Sequence, residues 1–327
     1  MDYVPYEEIG TRKNLIVDGS PHPHSGLVLS HWKGSGTSPS LMRDTSAEIV
    51  LDYLKQQTFP SDVTCVSNDH FDEDGLIGIF SVLNPTFALM HRDLLVDVAE
   101  AGDFAKFKDR KAARIAFAIS SMVQKNGGFI PVEVFNQPYP QLAAELYRRM
   151  LSVLPDLVKD INKFEKFWAD EDQFLSQSED LFKDQIIQIE EIHDLDLAIV
   201  HLPNHVESRG FHRFTQKRTE PIHEMSVHNR TRKLRVLYRQ GQNFWFKFRY
   251  ETWVQLREPH NMLRVNLGPL ADLLNTIEGE SIWTYSSSNK ISPVLKAKKE
   301  SSVPFAVFFE HLTNELREGF EDWNPYR

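Results

Sequence analysis

A single cysteine stands in the 327 residues of this chain. No internal disulfide can therefore form, and Cys65, inside an aliphatic run, reads as an inert core thiol rather than a nucleophile. No stretch approaches the roughly 18 apolar residues of a membrane span. The amino terminus, MDYVPYEEIG, is acidic and lacks the apolar core of a signal segment. These absences point to a reducing, cytoplasmic setting and to no membrane partner. Positive charge is also in deficit: 37 Lys and Arg against 46 Asp and Glu leave a net charge of -9. A strong general affinity for nucleic acid is not expected from such a balance. Three motifs are missing as well. Without Gly-x-x-x-x-Gly-Lys-Ser/Thr a P-loop nucleotidase has no support, and without Gly-x-Gly-x-x-Gly after a strand neither has a dinucleotide oxidoreductase. Gly34-Ser35-Gly36 is too short for a nucleophile elbow and lies in a loop.

What remains is a globular composition, 41% hydrophobic and 25% charged, without repeats or low-complexity tracts. Short aliphatic runs at Asn14–Asp18, Leu27–Ser30 and Asp62–Ser67 read as buried strands, bounded by Gly, Pro and Ser. Helical spacing follows at Asp44–Gln57, Leu76–Leu83, Pro85–Ala101, Lys111–Gln124 and from Pro138 to Leu154. This alternation predicts an α/β amino-terminal domain, residues 1–155, with a mostly parallel, doubly wound sheet. A charged helical segment with an intermittent apolar stripe, 156–192, comes next. The remainder, 193–327, reads as an α+β part: a strand at Leu197–Leu202, a hairpin at 234–239 and 244–256 around Gln240-Gly241-Gln242-Asn243, and helices near Pro269–Ile277 and Pro304–Phe320. Basic residues from Arg209 to Arg257, interleaved with the aromatics of Phe244–Trp253, read either as a phosphate surface or as the charged face of a sheet.

The most informative run is Asn68-Asp69-His70-Phe71-Asp72-Glu73-Asp74-Gly75, a polar turn between a buried strand and an apolar helix. In open α/β sheets such turns lie at the carboxyl edge, where ligands bind. His70, Asp72 and Asp74 follow the spacing His-x-Asp-x-Asp-Gly, so alternate side chains can converge, and Gly75 allows a backbone angle that other residues resist. Imidazole and carboxylate donors suit Mn²⁺ first, with Mg²⁺ and Zn²⁺ as alternatives, and closely spaced carboxylates can serve two ions. The competing reading of the same residues is a capped helix start.

The segment HFDEDGLIGIF resembles the first metal-binding motif of the DHH phosphoesterase superfamily, over about 15 residues. By position, that resemblance makes His70, Asp72 and Asp74 metal ligands and implies a phosphoester hydrolase. The later Asp-His-His motif of that superfamily has no counterpart; His193-Asp194-Leu195-Asp196 and His201-Leu202-Pro203-Asn204-His205 are the nearest stretches. The whole chain also looks similar to a group of bacterial proteins with no assigned activity.

Other strand ends supply supporting groups. Asp18 ends the first strand and His31 follows the second, so parallel neighbours would bring both to the same crevice, Asp18 as a further ligand and His31 as proton donor to a leaving group. Ser35, in the loop with Gly36 and Thr37, and Arg249, in the aromatic hairpin, are the candidate contacts to an anionic substrate. His22, His24, His201 and His205 are weaker candidates, the last two because Pro203 forbids a regular helix between them. The expectation is a metal-dependent hydrolase, a phosphoesterase acting on a nucleotide or other small phosphorylated substrate, with His70 also in a catalytic role. The alternative is a non-catalytic binding or regulatory protein on a related scaffold, and a metal hydrolase of a non-phosphate substrate also fits. Homo-oligomerisation is left open.

Overall fold

The computed structural model describes residues 1–213, 216–260 and 264–327. By contact the chain divides into one unit of residues 1–176 with 208–225 and a second of residues 177–207 with 226–327. Residue 155, the expected end of the first part, lies inside a helix, and the first unit runs past it.

In the first unit, β1 (Asp2–Tyr3), β2 (Asn14–Val17), β3 (Ser25–Leu29) and β4 (Cys65–Ser67) form one sheet in the order β1-β4-β2-β3. Every pairing in it is parallel, as the sequence predicts, so the carboxyl ends of β2, β3 and β4 share one edge. Helices α1 (Ser46–Gln56), α2 (Glu73–Leu83), α3 (Pro85–Met90), α4 (Arg92–Phe104), α5 (Arg110–Met122), α6 (Tyr139–Lys159) and α7 (Glu165–Lys183) follow. The apolar spacing at 85–101 covers two of them, α3 and α4, separated at His91. Their apolar stripes join Leu15, Val17, Leu29 and Val66 of the sheet in one core. Helix α2 packs close on β2 because residue 78 is glycine: a Cβ there would collide with Val17 Cγ1. The strongly buried α2 needs no amphipathic pattern, since all of its residues from Glu73 to Val82 are buried.

The second unit holds a six-stranded sheet of β5 (Gln188–Ile192), β6 (Leu197–Leu202), β9 (Arg235–Gln240), β10 (Asn243–Phe248), β12 (Trp283–Tyr285) and β13 (Val294–Ala297), in the order β12-β13-β10-β9-β6-β5. In the chain, between β6 and β9, come the hairpin β7 (Arg209–Arg213) and β8 (Gln216–Glu220), which belongs to the first unit, and the short α8 (Glu224–His228). Only the β6–β9 pairing is parallel. Two short strands, β11 (Arg264–Val265) and β14 (Glu321–Trp323), pair with one another. Helices α9 (Gly268–Glu278) and α10 (Phe305–Glu318) cover one face, where Phe244, Phe246, Phe248, Trp283 and Phe308 make the core. The hairpin β9–β10 turns at Gly241, whose φ of 60° favours glycine. Its second strand stops at Phe248 instead of running to Leu256, because the chain turns into a short 3₁₀ helix at Tyr250–Thr252. Part of the basic stretch, side chains 213–217, lies outside the described residues. Among the described residues no helix is long and apolar enough to cross a membrane.

Candidate metal centre

The carboxyl edge of the parallel sheet gathers charged groups from four elements. Asp18 follows β2, His31 follows β3, and His70 and Asp72 follow β4. Asp74 lies in the first turn of α2. Asp18 adopts the left-handed backbone, with φ 52°. A non-glycine residue pays strain for this conformation, which asparagine and aspartate tolerate better than most. The turn is followed by glycine with no room for a side chain: a Cβ on Gly19 would sit 2.8 Å from Asn68 Oδ1 and Asp69 Oδ1. The loops after β2 and β4 thus interlock.

Two sets of donors converge here: Asp18, His70 and Asp72, and Asp18, His31 and Asp74, each with donor atoms within 4.8 Å of one another. Asp18 belongs to both. His31 Nε2 faces Asp18 Oδ1 at 3.3 Å, Asp103 Oδ2 at 3.6 Å and Asp74 Oδ2 at 3.8 Å. Its Nδ1 lies 2.6 Å from the Asp44 carbonyl, an acceptor only, so Nδ1 carries a proton. His70 repeats the pattern, with Nδ1 3.0 Å from Asp69 Oδ1, and Nε2 2.8 Å from Asp72 Oδ2 and 3.4 Å from Asp18 Oδ2. Asp18 Oδ2 makes no hydrogen bond among the described residues and is buried. An imidazole whose Nδ1 is engaged by an oxygen and whose Nε2 faces carboxylates is the arrangement of metal-ligating histidines.

Asp103, which the motif spacing does not single out, comes from the end of α4 and is fully buried beside His31. A signal was present: Leu95, Ala99 and Asp103 fall four residues apart on one buried stripe of α4, where a charge is anomalous.

Electrostatics make the cluster costly without cations. Burial, then the negative charges of Asp74, Asp72 and Asp18, hold the Asp103 carboxyl well above the usual range. Burial and Asp18 push Asp74 up to about 8. Burial also opposes ionisation of Asp18, but the facing imidazoles of His31 and His70 prevail and hold it below the ordinary value. Burial would depress His70, yet Asp72, Asp18 and Asp69 raise it well above the ordinary histidine value. Carboxylates this close retain protons unless another cation replaces them. The donor set therefore fits a divalent ion of the Mn²⁺, Mg²⁺ or Zn²⁺ kind in chemistry and charge.

The scaffold beneath is specific. Asp74 also accepts hydrogen bonds from the Ser46 and Ala47 amides, both 2.7 Å, so it ties the start of α1 to the centre. Ser46 Oγ donates to Asp18 Oδ1 at 2.8 Å and accepts from the His31 amide at 3.1 Å. Asp72 caps α2, accepting from the Gly75 amide at 2.9 Å. Capping and clustering are thus both true of this turn. Gly75 is required for a different reason from the one expected: it lies in α2 without a positive φ, and a Cβ there would collide with Asn68 Nδ2 and sit 2.6 Å from Tyr147 Oη.

Two expected substrate contacts are otherwise engaged. The Ser35 hydroxyl is buried and donates to the Ser30 carbonyl, bracing its own loop. Arg249 is buried in the second unit, where its guanidinium donates to Glu251 and to the Thr231 carbonyl. Neither presents a donor to an anion. His31 has no exposed side-chain surface, which leaves a leaving group no direct path to it, whereas 20% of His70 is exposed. His22 and His24 lie in the loop between β2 and β3, and His201, on β6, faces Glu190.

Compared with known families, residues 1–327 match the family of unknown function DUF6687. The chain belongs to the DUF6687 family. No curated protein and no solved structure matches it. Within this DUF6687 chain, the acidic edge of the parallel sheet is the one place where the described residues bring three metal-donor side chains together.

Proposed function

We propose that this DUF6687 protein is a metal-dependent hydrolase of small phosphorylated substrates. One observation carries the reading: Asp18, on a strained left-handed turn, is shared by two donor sets whose histidines both turn Nε2 toward carboxylates. Asp18, His70 and Asp72 would hold one ion, and Asp18, His31 and Asp74 a second. Divalent ions held there would supply Lewis acidity for attack of water on a phosphoester. The chain's own residues do the rest. Asp69 and the Asp44 carbonyl fix the two imidazole tautomers, Ser46 orients Asp18, and Asp74 holds the centre against the start of α1. His70 lies at the exposed side of the cluster and His31 at the buried side, so a substrate would approach past His70. The likeness of residues 70–75 to the DHH first motif supports phosphoester chemistry, and the single buried cysteine suits a cytoplasmic setting.

The test is turnover of bis(p-nitrophenyl) phosphate with added Mn²⁺, alongside metal content. The reading expects both to fall together in Asp18→Asn and Asp72→Asn. A non-catalytic reading draws on one observation, that Asp74 is spent on two helix amides. Retained metal with no turnover on any phosphoester would favour it.

A further inference from the structure

The two donor sets that share Asp18 are built differently. In the inner set the side chains of His31 and Asp74 have no exposed surface and Asp18 has 1%, whereas in the outer set His70 keeps 20% and Asp72 7%. Asp18 divides between them by oxygen: Oδ1 lies 3.3 Å from His31 Nε2 and Oδ2 lies 3.4 Å from His70 Nε2. That second oxygen is buried and makes no hydrogen bond among the described residues. Spacing separates the sets too. Ligands bonded at about 2.0–2.2 Å to a tetrahedral ion stand roughly 3.3–3.6 Å from one another, wider than the 2.7–3.2 Å or so of a hydrogen bond. His31 Nε2 stands 3.3 Å from Asp18 and 3.8 Å from Asp74, close to the spacing of fellow ligands. His70 Nε2 is instead hydrogen-bonded to Asp72 Oδ2 at 2.8 Å, a contact that an outer ion has to open.

The inner set is also held from behind. The Ser46 and Ala47 amides donate to Asp74, His31 Nδ1 donates to the Asp44 carbonyl, and the Ser46 hydroxyl joins Asp18 Oδ1 to the His31 amide. Each carboxylate oxygen so engaged keeps a further lone pair for an ion. Donors fixed before binding lose little freedom when the ion arrives. Asp103 Oδ2, 3.6 Å from His31 Nε2, adds a third carboxylate on the side that water does not reach.

We infer that the two ions are unequal: the one held by Asp18, His31 and Asp74 is a resident structural ion that leaves only when this part of the fold opens, and the one on Asp18, His70 and Asp72 exchanges freely and meets water and substrate. Closed sites are the structural kind, and sites with an open position the catalytic kind. One imidazole and two carboxylates at this spacing suit Zn²⁺ or Mn²⁺ better than Mg²⁺, which demands an octahedral shell and keeps several waters. The inference rests on the metal reading of this cluster and not on the phosphoester chemistry.

Protein purified without chelator and saturated with Mn²⁺ is dialysed against EDTA, and bound divalent metal is counted by plasma mass spectrometry before dialysis, after it, and after unfolding in guanidinium chloride. One ion for each donor set should be present at first, one should leave on dialysis, and the other should leave only on unfolding. His70→Ala should lose the labile ion and keep the resistant one. His31→Ala should lose the resistant one; if that variant does not fold, Ser46→Ala, which removes the hydroxyl between Asp18 and His31 but no ligand, should turn the resistant ion labile. Equal loss of both ions from the unaltered protein overturns the inference, and so does a single ion per chain or a resistant ion that disappears in His70→Ala and persists in His31→Ala. Each of these results leaves metal-dependent hydrolysis standing. A resistant ion in a protein that turns over no phosphoester upholds the inference while the hydrolase reading falls, and absence of bound metal throughout removes both.

Discussion

Replacing Gly75 with alanine separates two physical arguments that predict opposite signs. Gly75 sits in the first turn of α2 without a positive φ, so backbone propensity alone makes alanine more stable, by about 0.5–1 kcal/mol. Packing says otherwise. The added Cβ would collide with Asn68 Nδ2 and lie 2.6 Å from Tyr147 Oη and 3.1 Å from Asp72 Oδ1. Asn68 donates to Tyr147 at 3.0 Å, and both are buried, so neither can swing into water. Overpacking of this kind costs about 1–3 kcal/mol, and separating the Asn68–Tyr147 pair adds about 1–3 kcal/mol for polar groups left unsatisfied. After the propensity gain the net loss is about 1–5 kcal/mol, or roughly 2–4 °C of Tm per kcal/mol for a unit of this size. Because Asn68 Oδ1 also accepts from the His70 amide, the displaced loop should lose Mn²⁺ affinity as well. Urea unfolding and a Mn²⁺ isotherm on Gly75→Ala read the two effects. A variant as stable as the parent, or more so, with unchanged metal affinity would refute the steric argument for this glycine.

Other perturbations follow the same logic. Saturating Mn²⁺ should raise Tm, since at a free concentration 100 times Kd binding adds about 2.7 kcal/mol, and EDTA should reverse it; a Tm indifferent to both would count against a built site. Arg264, fully buried, donates to the carbonyls of Ser288, Lys290, Ile291 and Arg249 and to Thr252 Oγ1, so Arg264→Met should strand these oxygens and destabilise by about 3–5 kcal/mol. Chemical denaturation checks it, and a loss below about 1 kcal/mol would show that the network is dispensable. Glu278 offers a pH test. Burial slightly raises its pKa, but hydrogen bonds from Ser301, Ser302 and Val303 prevail and lower it from 4.5 to about 2. A depressed carboxyl stabilises the fold above its unfolded pKa and loses that contribution as pH falls toward the folded value. The stability gap between the parent and Glu278→Gln should therefore be full at pH 6 and shrink below about pH 4.5; a gap independent of pH would contradict the assignment.

Much of the scaffold was legible because parallel strands write plain signals. Leu15–Val17 and Cys65–Ser67 are buried runs that end in polar turns, and their carboxyl ends must share an edge once the strands are parallel. That rule alone brings Asp18, His31 and His70 together. Asp103 escaped because its partners lie far away in sequence, and only its phase on the apolar stripe of α4 marks it. Ser35 and Arg249 misled for a different reason: a donor's availability depends on what else it bonds, and both are consumed by local acceptors. The role of Gly75 is likewise a matter of neighbours, Asn68 and Tyr147, that sequence spacing does not reveal. The hairpin's second strand is shorter than its sequence pattern implies, because the aromatic pattern continues to Trp253 after the backbone has turned.

The account stands on a cation held by the Asp18 cluster, and anomalous diffraction from crystals grown with Mn²⁺ reads this directly. The account predicts a Mn²⁺ peak about 2.0–2.3 Å from carboxylate oxygens and imidazole nitrogens among Asp18, His31, His70, Asp72 and Asp74, absent in Asp18→Asn. A map with no peak there, or with the same peak in Asp18→Asn, would contradict it.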